Sequence, residues 1–111
     1  MNISVNPVLT VEASTPDKEP LAQQTFYILE KSPISILRAN DPKSEISYAR
    51  TMDALRNLSV GFFITDSRGR AEVKKLKTGS YYICGISYTA QEAKVWNVEI
   101  ELLPGKNYLK L

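Results

Sequence analysis

The 111-residue chain contains no histidine. That removes the commonest general base and the commonest transition-metal ligand. A Ser-His-Asp or Cys-His nucleophile cannot be assembled, nor can a zinc site of the usual kind, which needs several thiolates or imidazoles. Cysteine is nearly missing as well: Cys84 stands alone and cannot close an internal disulfide, so cysteine usage does not reveal the redox compartment. There is no strong excess of charge. Lys and Arg number 14 against 12 Asp and Glu, which leaves no overall field to draw nucleic acid or an anionic membrane. No window approaches the roughly 18 consecutive apolar residues of a spanning helix, and "MNISVNPVLTVEAS" lacks the basic and apolar regions of a signal peptide. These absences leave no catalytic residue set, no metal site and no cofactor site to assign, and no membrane insertion.

What is present is ordinary for a folded domain. Hydrophobic residues make up 43% and charged residues 23% of the chain, and a single domain of this length buries roughly two-thirds of its unfolded surface without a staple. Val5, Leu9, Val11 and Ala13 alternate around Pro7, which suits an edge or first strand. "STPDKEPLAQ" reads as a loop. In "QTFYILEK", Phe26 and Ile28 oppose Tyr27 and Leu29, the pattern of a strand buried on both faces. "ISILRA", after Pro33, reads as a continuation of that sheet beyond a kink. The period then changes: Asp41 and Pro42 form a helix start, Glu45 sits in a first turn, and Tyr48, Met52 and Leu55 recur at helical spacing, predicting one inserted helix over about 43–57.

From Ser59 the pattern is strand and turn to the end. "SVGFFIT" is β-branched and aromatic; "DSRG" is a turn in which Asp66 bonds back to the backbone and Gly69 takes a positive φ. "RAEVKKL" turns Ala71 and Val73 inward and Arg70, Glu72 and Lys74 outward. "KTGS" turns again, and "SYYICGISY" sets Tyr81, Ile83 and Gly85 against Tyr82, Cys84, Ile86 and Tyr88. After the polar turn "TAQEA", "KVWNVEIELL" puts Trp96, Val98, Ile100 and Leu102 on one face and Asn97, Glu99 and Glu101 on the other. "PGKN" and "YLKL" close the chain. About seven short strands at this spacing predict a mainly β fold, an antiparallel β-sandwich with one inserted helix, as a single domain over 1–111. The terminal strand raises the expectation that the chain is a piece of a larger protein.

Thr65, Asp66, Gly69, Leu76, Gly79 and Tyr81, followed by "ELLPGKNYLKL", together resemble the carboxypeptidase regulatory-like domains, relatives of the transthyretin-like and Cna-B-type sandwiches. In those families an opening "G-x-P-L-x-G-A" turn is common; here Pro20 and Leu21 stand in place, with Gln23 or Gln24 where the second glycine is expected. The resemblance implies a prealbumin-like or Ig-like sandwich and a non-catalytic accessory or binding module of an exported bacterial protein. Its compartment would be periplasmic or cell-surface, and its contacts with protein or carbohydrate. It also raises the internal Lys-Asn isopeptide bond of some Cna-B-type domains. No lysine occurs on the first strand, so Asn107 lacks its reaction partner and the bond is rejected.

Candidate binding residues are then few. Arg68, Arg70, Lys74, Lys75 and Lys77 form a basic cluster that could neutralise phosphate. Their places on turns and outward strand positions, without interleaved aromatics, suit a solvated sheet edge better than a nucleic-acid interface. Tyr82 and Tyr88 share a strand face and could grip a sugar ring or a partner, although such tyrosines more commonly pack in cores. Trp96 reads as core, and Cys84 as a small buried hydrophobe. Tyr82, Tyr88 and Arg68 are the binding residues the sequence favours. Nucleic-acid or anion binding through 68–77, or an atypical transthyretin-like hydrolase, are the rival readings.

Overall fold

The computed structural model describes residues 7–15, 18–39, 45–88 and 93–111. Along them run β1 (Val8–Glu12), β2 (Thr25–Leu29), α1 (Ile34–Ala39), α2 (Glu45–Leu58), β3 (Gly61–Ile64), β4 (Arg70–Val73), β5 (Gly79–Tyr88), β6 (Ala93–Leu102) and β7 (Lys106–Lys110). The strands form two sheets, one of three in the order β4-β1-β7 and one of four in the order β3-β2-β5-β6. A mainly β chain of seven strands is the class the sequence predicts.

The three-stranded sheet is built on β1, whose Leu9 and Val11 are buried while Thr10 and Glu12 point the other way. The sequence suggests an edge or first strand here. β1 is indeed first, but it is central, because Pro7 stands just outside the strand and costs the ladder no donor. Val8 N–H, the first one needed, donates to Gly105 O at 2.8 Å. β1 runs antiparallel to β4, pairing Glu12 with Arg70 and Thr10 with Glu72, and parallel to β7, pairing Thr10 with Tyr108 and Glu12 with Lys110. That parallel pair departs from the antiparallel expectation. Strands at the two ends of a chain share no hairpin, so no turn dictates their relative direction.

In the four-stranded sheet β2 is an inner strand, as its two-sided apolar pattern predicts, and pairs antiparallel with β5 through Tyr27–Cys84, Ile28–Ile83 and Leu29–Tyr82. One face of this sheet carries Leu29, Cys84 and Ile86, buried together with Leu55 of α2; Tyr27, Leu37, Tyr48, Met52 and Tyr82 pack around them. The helical spacing of Tyr48, Met52 and Leu55 therefore marks the face of α2 that covers the sheet. Phe26, Ile28, Tyr81 and Ile83 lie buried on the sheet's other face. There the Phe26 ring meets Trp96 edge-on at 5.4 Å and lies over Gly85, where a Cβ would fall 2.6 Å from Cδ1 of that ring.

One local expectation needs correction. "ISILRA" is the short helix α1, not a strand extension, so among the described residues it stands beside the inserted helix that the sequence predicts. Pro33 fixes a helix-compatible φ and its carbonyl accepts from Leu37 N–H at 3.0 Å, while Ser32 Oγ accepts from Ile34 N–H. A six-residue apolar segment is too short for its period to separate helix from strand. α2 begins at Glu45 and ends at Leu58, one residue past the predicted end. The predicted cap at Asp41, Pro42 and Lys43, like most of the "TAQEA" turn, lies outside the described residues.

Contacts divide the chain into two units, Met1–Gln24 with Phe63–Ser80 and Glu101–Leu111, and Thr25–Phe62 with Tyr81–Ile100. The first holds the three-stranded sheet; the second holds the helices and most of the four-stranded sheet.

Candidate functional site

The segment "TDSRG" organises the first unit. Asp66 Oδ1 accepts from Arg68 N–H at 2.8 Å and Arg70 N–H at 3.0 Å, and Asp66 N–H donates to Arg70 O at 2.8 Å. Those backbone donors, Arg70's first and then Arg68's, hold its carboxyl below the usual carboxylate range, with the two guanidinium charges adding to the effect. Gly69 is buried with φ 74°, and a Cβ there would fall on Ala13 O and 2.9 Å from Leu21 N. Thr65, also buried, donates through Oγ1 to Leu21 O at 2.6 Å and accepts from Gln24 N–H at 2.9 Å.

The same threonine sits opposite a β-bulge. Gln23 N–H donates to Thr65 O, and Thr65 N–H donates to Gln24 O, so two residues face one. The first of them, Gln23, has φ 55°, a left-handed conformation usually given to glycine at this bulge position. The position after "PL" where glycine is expected thus has the left-handed backbone that glycine favours, with glutamine adopting it in this chain.

Asn107 performs similar work at the other end of the sheet. Its Nδ2 donates to Leu103 O at 2.7 Å, with Gly105 O at 3.2 Å and Val8 O at 3.4 Å, and its Oδ1 accepts from Leu103 N–H. Its register neighbour on β1 is Leu9, which carries no amine. Asn107 is a turn clamp.

This wiring presents the outer face of the three-stranded sheet as a fixed surface. The registers place Arg70, Glu12 and Lys110 in one row and Glu72, Thr10 and Tyr108 in the next. The Tyr108 side chain is 63% exposed, and its hydroxyl donates to Glu12 Oε2. That hydrogen bond, with the adjacent Glu12 charge, pushes the phenol upward from its ordinary value, and Arg70 opposes the shift. An exposed aromatic ring is an apolar platform for the C–H face of a sugar. The carboxylate and guanidinium beside it accept and donate hydrogen bonds to hydroxyls.

The residues favoured from sequence are dispersed. Arg68 is exposed on the Asp66 turn, two residues before Arg70. Tyr82 is partly buried against the helix-side core of the four-stranded sheet, and Tyr88 ends β5. Of the basic cluster, Arg68, Arg70, Lys74, Lys75 and Lys77 are all exposed, and Lys74 is paired with Glu72 at 3.0 Å. Cys84 is buried, its thiol 3.8 Å from Asn97 Oδ1 and pushed up to about 12 by burial, which makes it inert. A cleft of about 280 Å³ lies between Leu29, Glu30, Lys31, Ser32, Leu58 and Val60. Among the described residues no group of three or more Cys, Asp or Glu converges as metal ligands would. No helix there is long and apolar enough to cross a membrane.

The sequence matches no protein-family model and no curated protein. Solved structures do resemble it. The Bacillus anthracis TIE protein superposes with a TM-score of 0.56 at 18% identity, over 97% of this chain and 16% of its own. The pilus backbone protein of Streptococcus pneumoniae gives 0.56 at 14% identity, over 88% of this chain and 34% of its own. The fimbrial protein FimP of Actinomyces oris gives 0.51 at 12% identity, over 99% of this chain and 30% of its own. The chain spans between 16% and 34% of the length of each, and the likeness shows the fold, a prealbumin-like or Ig-like β-sandwich.

Proposed function

We propose that this chain is a non-catalytic module of a longer protein working outside the cytoplasm, and that it binds carbohydrate on the outer face of its three-stranded sheet. The observation that carries the reading is the exposed Tyr108 ring, tethered through its hydroxyl to Glu12 and flanked by Arg70. The tether holds the ring in place before a ligand arrives, which lowers the ordering cost of binding. The "TDSRG" turn and the Gln23 bulge support kinship with carboxypeptidase regulatory-like domains. Similarity to portions of surface-assembly proteins supports a place in a multidomain extracytoplasmic chain. The absence of histidine from the sequence argues against hydrolysis.

The test is an amide-shift titration against a panel of neutral and acidic oligosaccharides. Binding with Kd of about 1 mM, usual for a single shallow aromatic face, is expected to move the amides of residues 10, 12, 70 and 108. Tyr108→Ala should abolish the shifts while leaving the remainder of the spectrum in place. Shifts centred on Tyr82 instead, or none with any sugar, would remove this reading.

A further inference from the structure

The outer face of the three-stranded sheet carries charge as well as an aromatic ring. Four cations, Arg70, Lys74, Lys106 and Lys110, stand there against two carboxylates, Glu12 and Glu72. The chain holds 14 Lys and Arg against 12 Asp and Glu, so the other charged residues balance at ten against ten. The formal net charge of +2 is that of this one face.

These charges are not spent on one another alike. Lys74 is paired with Glu72 at 3.0 Å, and Glu12 accepts the Tyr108 hydroxyl through Oε2. Arg70, Lys106 and Lys110 close no ion pair among the described residues. Arg70 and Lys110 flank Glu12 in one row, and two strand spacings set their Cα atoms roughly 10 Å apart. Lys106 lies on β7 two residues before Tyr108.

We propose that the carbohydrate taken on this face is acidic, an oligosaccharide whose rings carry carboxylate or sulfate groups, with Arg70 and Lys110 receiving separate acid groups on either side of Glu12. The inference rests on the carbohydrate reading above and narrows it. Arg70 offers a planar fork that matches the paired oxygens of a carboxylate or sulfate, and the lysines act as point charges. Glu12 selects a sugar over a phosphodiester chain. Its Oε1 takes no hydrogen bond among the described residues, so it can accept from a sugar hydroxyl, whereas the backbone of DNA has no donor to give it and is only repelled. A lone ring also falls short of the successive aromatics on which single-stranded nucleic acid stacks.

Amide-shift titrations with matched pairs test this: an oligogalacturonate against its methyl ester, and a sulfated cello-oligosaccharide against the unsulfated one. At low salt at least one acidic sugar should bind about tenfold more tightly than its neutral partner. The preference should vanish near 1 M salt, where screening acts within about 3 Å. Whichever pair shows the larger ratio names the acid group. Arg70→Gln and Lys110→Gln should each cut that ratio to about threefold or less with circular dichroism unchanged, and Lys31→Gln, an exposed cation of the other unit, should keep it. Equal affinity for acidic and neutral partners would overturn the proposal and leave the carbohydrate reading standing, whereas no binding of any sugar would end both. Tighter binding of an oligothymidylate than of either acidic sugar would give the face to nucleic acid instead.

Discussion

The two units of this protein hold themselves together by different means. The first is wired by polar and backbone groups that converge on a few positions: Thr65 and Asp66 with their hydrogen bonds, Gly69 with no room for a side chain, and Asn107 clamping the last turn. The second is packed. Leu29, Leu55, Cys84 and Ile86 fill the helix-side core, and Phe26 fits edge-on against Trp96 over Gly85. A wired region loses order when one atom is misplaced, whereas a packed region loses stability in proportion to the volume removed. The polar face around Tyr108 belongs to the wired unit, above the buried Leu9 and Val11 of β1.

That contrast is sharpest at Gly69. Gly69→Ala must force a methyl group against the Ala13 carbonyl from a left-handed backbone, and is expected to cost about 4 kcal/mol or more, as few single changes do. Urea unfolding of the variant checks it, and a loss under 1 kcal/mol would mean that the turn is not rigid. Leu55→Ala, in the packed unit, should cost about 3 kcal/mol through the cavity it leaves. Hydrogen exchange should then rise across β2, β5 and α2 while the Asp66 turn exchanges as before; uniform acceleration would erase the distinction between the units.

Thr65→Val keeps the shape but leaves Leu21 O and Gln24 N–H without that hydroxyl, at an expected cost of about 2 kcal/mol by thermal or urea unfolding. A cost near zero would show that the hydroxyl is dispensable to the wiring. Gln23→Gly should act in the opposite direction. Relief of the left-handed backbone outweighs the greater freedom of glycine in the unfolded chain, for a net gain of about 0.5 kcal/mol. A loss instead would assign the glutamine side chain a stabilising contact of its own.

The smallest effect is pH-dependent. Because Asp66 titrates in the folded protein below its usual value near 3.8, its contribution is complete above that value and is lost as pH falls through the lower folded one. Asp66→Asn retains an oxygen for Arg70 and Arg68 N–H but not the charge. It should be less stable than wild type at neutral pH, with the gap narrowing below about pH 4. A gap of constant size would mean that hydrogen-bond geometry alone matters there.

Much of this was legible in order along the chain. The alternation of "KVWNVEIELL" predicts β6 with its buried and exposed faces, the spacing of Tyr48, Met52 and Leu55 predicts the covering face of α2, and "TDSRG" predicts its own turn. Each is local, since a few consecutive residues state both the period and the phase. "ISILRA" was not legible, because six residues cannot distinguish two periods and the deciding groups, Ser32 and Pro33, precede them. Nor was the site. Tyr108 and Glu12 each occupy outward phases that could be read, but they are 96 positions apart and meet only through a parallel pairing that no turn announces. Tyr82, conspicuous in "SYYICGISY", spends its ring on the helix-side core.

By itself, then, the sequence determined the class of fold, the turns and the impossibility of histidine chemistry, because these depend on residue type and short-range spacing. The tertiary structure decided that β1 is central, that β7 lies parallel to it and that Gln23 takes a left-handed backbone conformation. Those outcomes depend on which distant strands become neighbours, and hydrogen bonds between strands are set by register across the whole chain, not by the residues that flank either partner.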